Sequence, residues 1–192
     1  GFVRNEEPQL YTDRRENARI ENGCLVLEAR RERRANPAYR ADANDWQRRR
    51  KFAEYTSAAL ETHGKFSFLY GRVDVRAKVP SGMGVWPAIW FMGDKGNWPA
   101  CGESDLMECW GAIPTDPEAN LHWHDPKGER DSGHVSSGAY HCPGVDPTDG
   151  FHVYTLEWEP ERLTFRYDGE VYGRYDVSRA DRIPSENRSS SC

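Results

Sequence analysis

The fold of this chain is decided by GESDLMECW, residues Gly102–Trp110, which sets three carboxylates in an otherwise apolar stretch. In an extended strand, successive side chains alternate between faces, so Glu103 and Asp105 point the same way. Glu108 lies five residues after Glu103, and a regular strand would send it to the opposite face. One extra residue at Leu106-Met107, a β-bulge, restores the parity and brings all three acids to one side.

Three carboxylates on one sheet face repel one another, and each costs free energy to desolvate, so the cluster indicates chemistry rather than packing. A retaining glycosidase needs two carboxyl groups about 5 Å apart, one as nucleophile and one as acid/base. A third acid can hold a shared proton and keep the two pKa values apart. The alternatives are a solvent-facing acidic edge and an oxygen-rich metal site. The metal site is disfavoured because Ca²⁺ and Mg²⁺ ligands usually come from loops.

Strand patterns dominate the rest of the chain. Val73–Val79 alternates apolar with charged residues, and Val85–Met92 is apolar on both faces, as expected of a central strand. Leu163–Asp168 also alternates, and Asp168-Gly169 then supplies a two-residue hairpin turn. Cys24–Glu28 is a short apolar run that follows a turn signal. Connections rich in Pro and Gly at 111–118, 125–133 and 143–150 are typical of loops over a binding face.

Composition narrows the class of protein. A chain of 192 residues is long enough for one domain with a proper core. Aromatic residues make up 12% and include seven tryptophans, although only 37% of the chain is hydrophobic. That excess fits a β-sandwich core, stacking platforms for sugar rings, or both. The net charge of −5 disfavours nucleic acid as a partner, and no apolar run or leader segment indicates a membrane span or signal peptide.

Two local features need separate explanations. Arg30–Lys51 carries nine basic residues interspersed with acids, which favours a solvated surface loop over a nucleic-acid patch. The five cysteines form no CxxC pair, so a zinc site is disfavoured, and their odd number argues against a complete disulfide framework. Cys24 and Cys109 fit small buried residues, and a Cys101–Cys142 bridge stays open.

The pattern Glu-x-Asp-x-x-Glu after Trp98-Pro99 resembles glycoside hydrolase family 16, in its laminarinase-like (endo-β-1,3-glucanase) branch. The resemblance spans nearly the whole chain. Further matching blocks are Tyr11-Thr12, Glu16-Asn17, Tyr70–Pro80, Gly84–Met92, His122-Trp123, Tyr154–Trp158 and Tyr167–Glu170.

The resemblance implies an all-β fold: a jelly-roll sandwich of two antiparallel sheets with a concave carbohydrate-binding cleft. Residues 1–192 would form one domain, with about the last 15 residues irregular and family strands missing at both ends. Asn44–Glu61 lacks Gly and Pro and could be helical, but the resemblance assigns its second half, Tyr55–Leu60, to a strand.

The resemblance also assigns roles. Glu103 would be the nucleophile, Glu108 the acid/base, and Asp105 a hydrogen-bond partner of the nucleophile. The expected substrate contacts are Asn17, Arg72, Trp86, Trp90, Trp98 and His122. The alternatives are core packing for Trp90, a structural ion pair for Arg72, and a surface histidine or, together with His124 and His134, a metal ligand for His122.

The expected function is retaining endo-hydrolysis of β-1,3-glucosidic bonds in laminarin-type or mixed-linkage β-glucans, through a covalent glycosyl-enzyme intermediate. The alternatives are another polymer, such as agarose or carrageenan, and a non-catalytic carbohydrate-binding sandwich or inactive truncated fragment. No metal or cofactor is expected, and the structural calcium seen in the family is not supported by these residues. The chain is expected to be a secreted or periplasmic monomer whose partner is a polysaccharide, with no nucleic acid or membrane partner.

Overall fold

The computed structural model describes residues 1–123, 133–136, 146–177 and 190–191, the second and last of these segments as backbone only. The described residues contain fourteen strands and no helix, which confirms the all-β prediction. No helix in these ranges is therefore long and apolar enough to cross a membrane. The chain divides into two compact units, Gly1–Glu61 and Thr62–Cys192. That it forms a single domain stays a prediction.

The strands run in chain order as follows. They are β1 (Gln9–Tyr11), β2 (Ala18–Glu21), β3 (Cys24–Leu27), β4 (Arg30–Ala35), β5 (Phe52–Ser57), β6 (Gly71–Ala77), β7 (Ala88–Gly93), β8 (Glu103–Glu108), β9 (Glu118–Trp123), β10 (Gly133–Ser136), β11 (His152–Glu159), β12 (Arg162–Tyr167), β13 (Glu170–Asp176) and β14 (Ser190–Ser191).

The first unit holds a three-stranded sheet of order β1-β5-β4 and a β2-β3 hairpin. The helical alternative for Asn44–Glu61 is wrong, because β5 occupies Phe52–Ser57, three residues earlier than the predicted strand. Burial explains the strand: Ala53 and Thr56 are fully buried in this unit. The β1-β5 pair is parallel, which departs from the expectation of purely antiparallel sheets.

The second unit holds two antiparallel sheets, of order β10-β9-β8-β7-β14 and β13-β12-β11-β6. One buried apolar cluster draws Phe91 and Leu106 from the first sheet and Leu156 and Phe165 from the second, so the sheets pack face to face. The hydroxyl of Tyr175 crosses this interface and donates to the Ala119 carbonyl at 2.8 Å. The predicted β-sandwich is confirmed.

Alternation along each strand separates the core face from the outer face. On β6, Val73 and Val75 pack against the core, while Arg72 and Asp74 are exposed. On β12 and β13 the predicted hairpin is confirmed, with positive φ of 47° at Asp168 and 90° at Gly169. A two-residue turn in which both residues have positive φ matches the right-handed twist of the flanking strands.

About the last 15 residues were expected to be irregular, and of these, residues 178–189 and Cys192 lie outside the described residues. Ser190–Ser191 pairs with β7 as the edge strand β14. This pairing supplies the backbone partners that an edge strand otherwise lacks. Cys142 and Cys192 lie outside the described residues, as do residues 125–132 and 143–145 of the predicted loops. Cys24, Cys101 and Cys109 carry free thiols.

Candidate active site

The predicted bulge in β8 is present. Against β7, Asp105 lies opposite Trp90 and Met107 lies opposite Ile89, so Leu106 is the extra residue between two adjacent partners. Leu106 is completely buried in the core of the sandwich. The extra residue corrects the strand's parity at the point that the sequence indicated.

Pairing with β9 shows the same shift. Asp105 lies opposite Asn120 and Glu108 opposite Glu118. The two β8 residues are therefore three positions apart, while their partners on β9 are only two positions apart. Directly opposed residues of neighbouring strands share one face of the sheet. The face turned away from the core therefore carries side chains from three strands, which are Trp90, Met92, Glu103, Asp105, Glu108, Glu118, Asn120 and His122.

Asp105 is the most enclosed acid of this face, with 2% of its surface exposed. Its Oδ2 lies 3.3 Å from Nε2 of His122, on the neighbouring strand. Burial raises the pKa of Asp105 to about 7, and the charges of Glu103 and Glu108 add to the rise while His122 opposes it. The carboxyl therefore holds a proton far more readily than an ordinary aspartate near neutral pH.

Glu108 is half-buried and accepts a hydrogen bond at 2.7 Å from Nδ2 of Asn120. Burial raises the pKa of Glu108, and the bond from Asn120 and the charge of His122 oppose that rise. A carboxyl group with a raised pKa can donate a proton near neutral pH, as a general acid must.

Glu103 is held by Trp98. The indole Nε1 donates to Oε2 of Glu103 at 2.5 Å, and the indole ring lies 6.1 Å from the His122 ring. Trp98 is 54% exposed, so much of its ring surface is available to another molecule. The structure thus brings Trp98, Glu103, Asp105, Glu108 and His122 together, as predicted from the sequence.

His122 lies inside the cluster rather than on an isolated surface. The nearby Asp105 carboxylate raises the pKa of His122, and the charges of Glu103 and Glu108 act in the same direction. Single ligand atoms of Glu103, Asp105 and His122 all lie within 4.8 Å of one another, close enough for a cation to bridge them. His134 lies opposite His122 in the β9-β10 register, and His124 lies outside the described residues.

Two further tryptophans form an exposed pair. The rings of Trp86 and Trp110 stack with centroids 4.5 Å apart and planes at 17°, and each residue is nearly half exposed. Trp86 was predicted as a substrate contact and Trp110 was not. Its signal was its spacing, since Trp110 follows Glu108 by two residues and alternation puts it on the same side of an extended chain. Trp90 lies opposite Asp105 on the active-site face, so the core alternative for it is wrong.

Asn17, predicted as a substrate contact, forms hydrogen bonds within the first unit. It belongs to the first unit and is completely buried there. Its Nδ2 donates to the Glu28 carbonyl and to Oγ1 of Thr56, both at 3.0 Å, and its Oδ1 accepts from Thr12 at 2.5 Å. The whole amide group is used in hydrogen bonds inside this unit, and the substrate contact of Asn17 stays a prediction.

Arg72, also predicted as a substrate contact, forms ion pairs with two acids. It lies on β6, in the other sheet of the sandwich, on the face turned away from the core. Its Nε lies 3.0 Å from both carboxylate oxygens of Asp74, and Nη1 lies 3.5 Å from Oε1 of Glu157. The structural ion pair is therefore present, and Arg72 lies on the outer face opposite the one that carries Glu103, Asp105 and Glu108.

Asn120 was missed by sequence reasoning. It is 3% exposed, lies opposite Asp105 and hydrogen-bonds to Glu108. The signal was the alternation of Glu118–Trp123, which puts every second residue of the strand on the face of His122.

Comparison with known proteins agrees with this site. The profile of the glycosyl hydrolases family 16 matches residues 7–189. A beta-glucanase of Rhodothermus marinus is 38% identical over 181 residues, which cover 91% of this chain and 56% of the relative. This chain thus spans little more than half the length of that protein.

Two solved structures are similar over nearly the whole chain. The laminarinase catalytic domain of Thermotoga maritima gives a TM-score of 0.78 at 33% identity, covering 97% of this chain and 70% of the other. A structure from work on endo-acting O-glycanases of human gut microbiota gives a TM-score of 0.84 at 35% identity, covering 92% and 63%. The chain belongs to the glycosyl hydrolases family 16.

Proposed function

We propose that this chain carries the catalytic machinery of a retaining endo-glycosidase that hydrolyses β-1,3-glucosidic bonds in laminarin-type or mixed-linkage β-glucans. The bulge at Leu106 carries this proposal, because it puts Glu108 on the same face as Glu103 with the buried Asp105 between them. Similarity to a beta-glucanase and to a laminarinase catalytic domain supports the choice of polymer.

In the first step Glu103 attacks the anomeric carbon of the sugar while Glu108 gives its proton to the glycosidic oxygen. The C–O bond to the departing chain breaks, and an ester to Glu103 forms. In the second step Glu108, now ionised, takes a proton from water as the water oxygen attacks the same carbon. The ester breaks, Glu103 leaves as a carboxylate, and the sugar keeps its configuration.

Neighbouring groups fit these roles. The Trp98 indole engages Oε2 of Glu103, which leaves Oε1 as the attacking oxygen. Asp105 can share a proton within the cluster because burial raises its pKa to about 7. Its proton limits the net negative charge around Glu103, and His122 supplies partial positive charge beside it.

The exposed aromatic surfaces would bind the polymer. Trp98 at the nucleophile and the stacked Trp86–Trp110 pair offer indole faces to the apolar C–H faces of pyranose rings. A polymeric substrate is too large to enter a cell, which supports the further proposal that the protein acts after export. That it acts as a monomer is proposed alongside, and substrate size does not bear on it.

Hydrolysis of a mucin-type glycan is the second candidate, because one similar structure comes from work on endo-acting O-glycanases. The pair Trp86–Trp110 would serve either polymer, since stacking does not distinguish glucose from galactose by itself.

The test is release of new reducing ends from laminarin, barley β-glucan, mucin O-glycans, agarose and carrageenan by the purified chain. Glu103→Gln is the loss-of-function variant, and Glu157→Gln, on the other outer face, is the matched control. We expect release from laminarin by the wild type and by Glu157→Gln but not by Glu103→Gln. Release from mucin glycans alone would select the second candidate. A folded wild type that cleaves none of these polymers, or an active Glu103→Gln, would overturn the proposed function.

A further inference from the structure

Asn120 occupies a position that the mechanism above does not use. It lies on β9 directly opposite Asp105, and the bulge moves Glu108 one place along, within reach of its amide. The Nδ2 of Asn120 donates to Oε2 of Glu108 at 2.7 Å. Only 3% of the Asn120 surface is exposed, so protein groups rather than water surround its side chain.

The direction of this hydrogen bond has a chemical consequence. An amide NH₂ can only donate, so the Glu108 oxygen that it contacts acts as an acceptor in both protonation states. The acidic proton is then favoured on the other oxygen, Oε1. An asparagine turned the other way would set its carbonyl oxygen against a carboxylate oxygen, with no proton between them when Glu108 is ionised.

The hydrogen bond from Asn120 also opposes the effect of burial on the pKa of Glu108. Burial and the charges of Glu103 and Glu118 favour the protonated carboxyl, whereas the Asn120 bond and His122 favour the carboxylate. Glu108 must lose its proton in the first step and take one in the second, so neither form can dominate strongly.

We propose that Asn120 is the positioning residue of the acid/base: its Nδ2 donor holds Oε2 of Glu108 and directs the transferable proton to Oε1. This inference rests on the proposed function, since it assumes that Glu108 is the acid/base. It assigns Asn120 no contact with the substrate, and its effect on catalysis passes through Glu108.

The variants Asn120→Ala and Asn120→Asp test the proposal through the pH profile of kcat/KM on laminarin. Removing the donor should raise the pKa of Glu108, so we expect the basic limb to move to higher pH by about one unit in Asn120→Ala. A carboxylate at this position repels ionised Glu108, so the limb should move further in Asn120→Asp. An unmoved limb in both variants would overturn the role of Asn120.

A second measurement compares leaving groups. An aryl β-laminaribioside with a dinitrophenolate leaving group needs little proton donation in the first step. We expect Asn120→Ala to lose at least about tenfold in kcat/KM on laminarin and clearly less on the aryl glycoside. Equal losses on the two substrates would indicate general damage to the site and contradict the proposal.

Two controls separate the ways of failing. Asn17→Ala removes another buried asparagine, whose amide bonds within the first unit, so it should lower Tm without moving the pH limb. Glu108→Gln tests the assumption itself. If Glu108→Gln still cleaves laminarin, the proposed function fails in its acid/base assignment. If Glu108→Gln is inactive and the Asn120 variants behave as wild type, only the role of Asn120 fails.

Discussion

Both outer faces of the sandwich carry acidic side chains, but the pKa values of these acids are shifted in opposite directions on the two faces. On the β6-β11-β12 face, Arg72 hydrogen-bonds to Asp74 and holds the pKa of that carboxyl below its usual value. On the β7-β8-β9 face, burial raises the pKa values of Asp105 and Glu108. In the part of the chain that the structure describes, no Arg or Lys forms an ion pair with these two acids.

The difference shows that carboxylates on a sheet can act as acids and bases when no Arg or Lys lies close to them. An arginine within hydrogen-bonding distance stabilises the charged form and ties the acid to one protonation state. Without one, burial and mutual repulsion bring the proton affinity of the acids into the range where they can exchange protons with a substrate.

The largest expected effect comes from placing a cation beside an active-site acid, as Arg72 lies beside Asp74 on the other face. Glu118 lies opposite Glu108, and its charge helps to raise the pKa of Glu108. In Glu118→Arg the new cation should lower that pKa, so the basic limb of kcat/KM moves to lower pH and activity at pH 7 falls at least about tenfold. Glu118→Gln should move the limb the same way by less. A limb that moves to higher pH in Glu118→Arg would refute this account.

A loss that is no larger than this is expected when the donor to the nucleophile is removed but the ring is kept. Trp98→Phe deletes the indole N–H that contacts Glu103 and retains an aromatic surface. A hydrogen bond to a charged group is worth more than a neutral one, so kcat should fall about tenfold with a smaller change in KM. Trp86→Phe, which alters only stacking, is the control and should change mainly KM. Equal effects on kcat would argue against orientation of Glu103 by Trp98.

The two faces should also differ in how stability depends on pH. Asp105 has a folded-state pKa of about 7, above its unfolded value, so the folded state binds the extra proton and stability falls as pH rises from about 4 to 7. Asp105→Asn should remove this dependence and gain on the order of 1 kcal/mol at pH 8, measured by urea unfolding.

Asp74 should show the opposite sign. Because its folded-state pKa is lowered, it stabilises the fold above the unfolded pKa, and this contribution is lost as pH falls below about 4. The effect is small, since the Asp74 side chain is 46% exposed. Asp74→Asn should therefore lose a little stability at pH 7, and this loss should shrink as pH falls below about 4. A gain at pH 7 would contradict the contrast between the faces.

The smallest effect is expected for Arg72. Because Arg72 pairs with Asp74 and Glu157 away from the acids, Arg72→Gln should leave kcat/KM on laminarin within about twofold of wild type. A large rise in KM would restore it as a substrate contact.

Sequence reasoning succeeded where the evidence was local. Alternation in Val73–Val79 and the Asp168-Gly169 turn predicted strands and a hairpin that are present, since both depend on neighbouring residues alone. It could not decide the surroundings of Asn17 and Arg72, because a polar side chain can serve a buried hydrogen-bond network, a surface ion pair or a ligand. Only the partners that the fold supplies decide among these.

By itself, the sequence determined that three acids share one face of a bulged strand, because parity along an extended chain is fixed by residue count. It could not determine which side chains contact those acids. The fold supplied Asn120 and His122 from a neighbouring strand and Trp98 from the segment before β8. These contacts, together with burial, set the protonation of each carboxyl, because proton affinity depends on the surroundings of a group and not on its place in the chain.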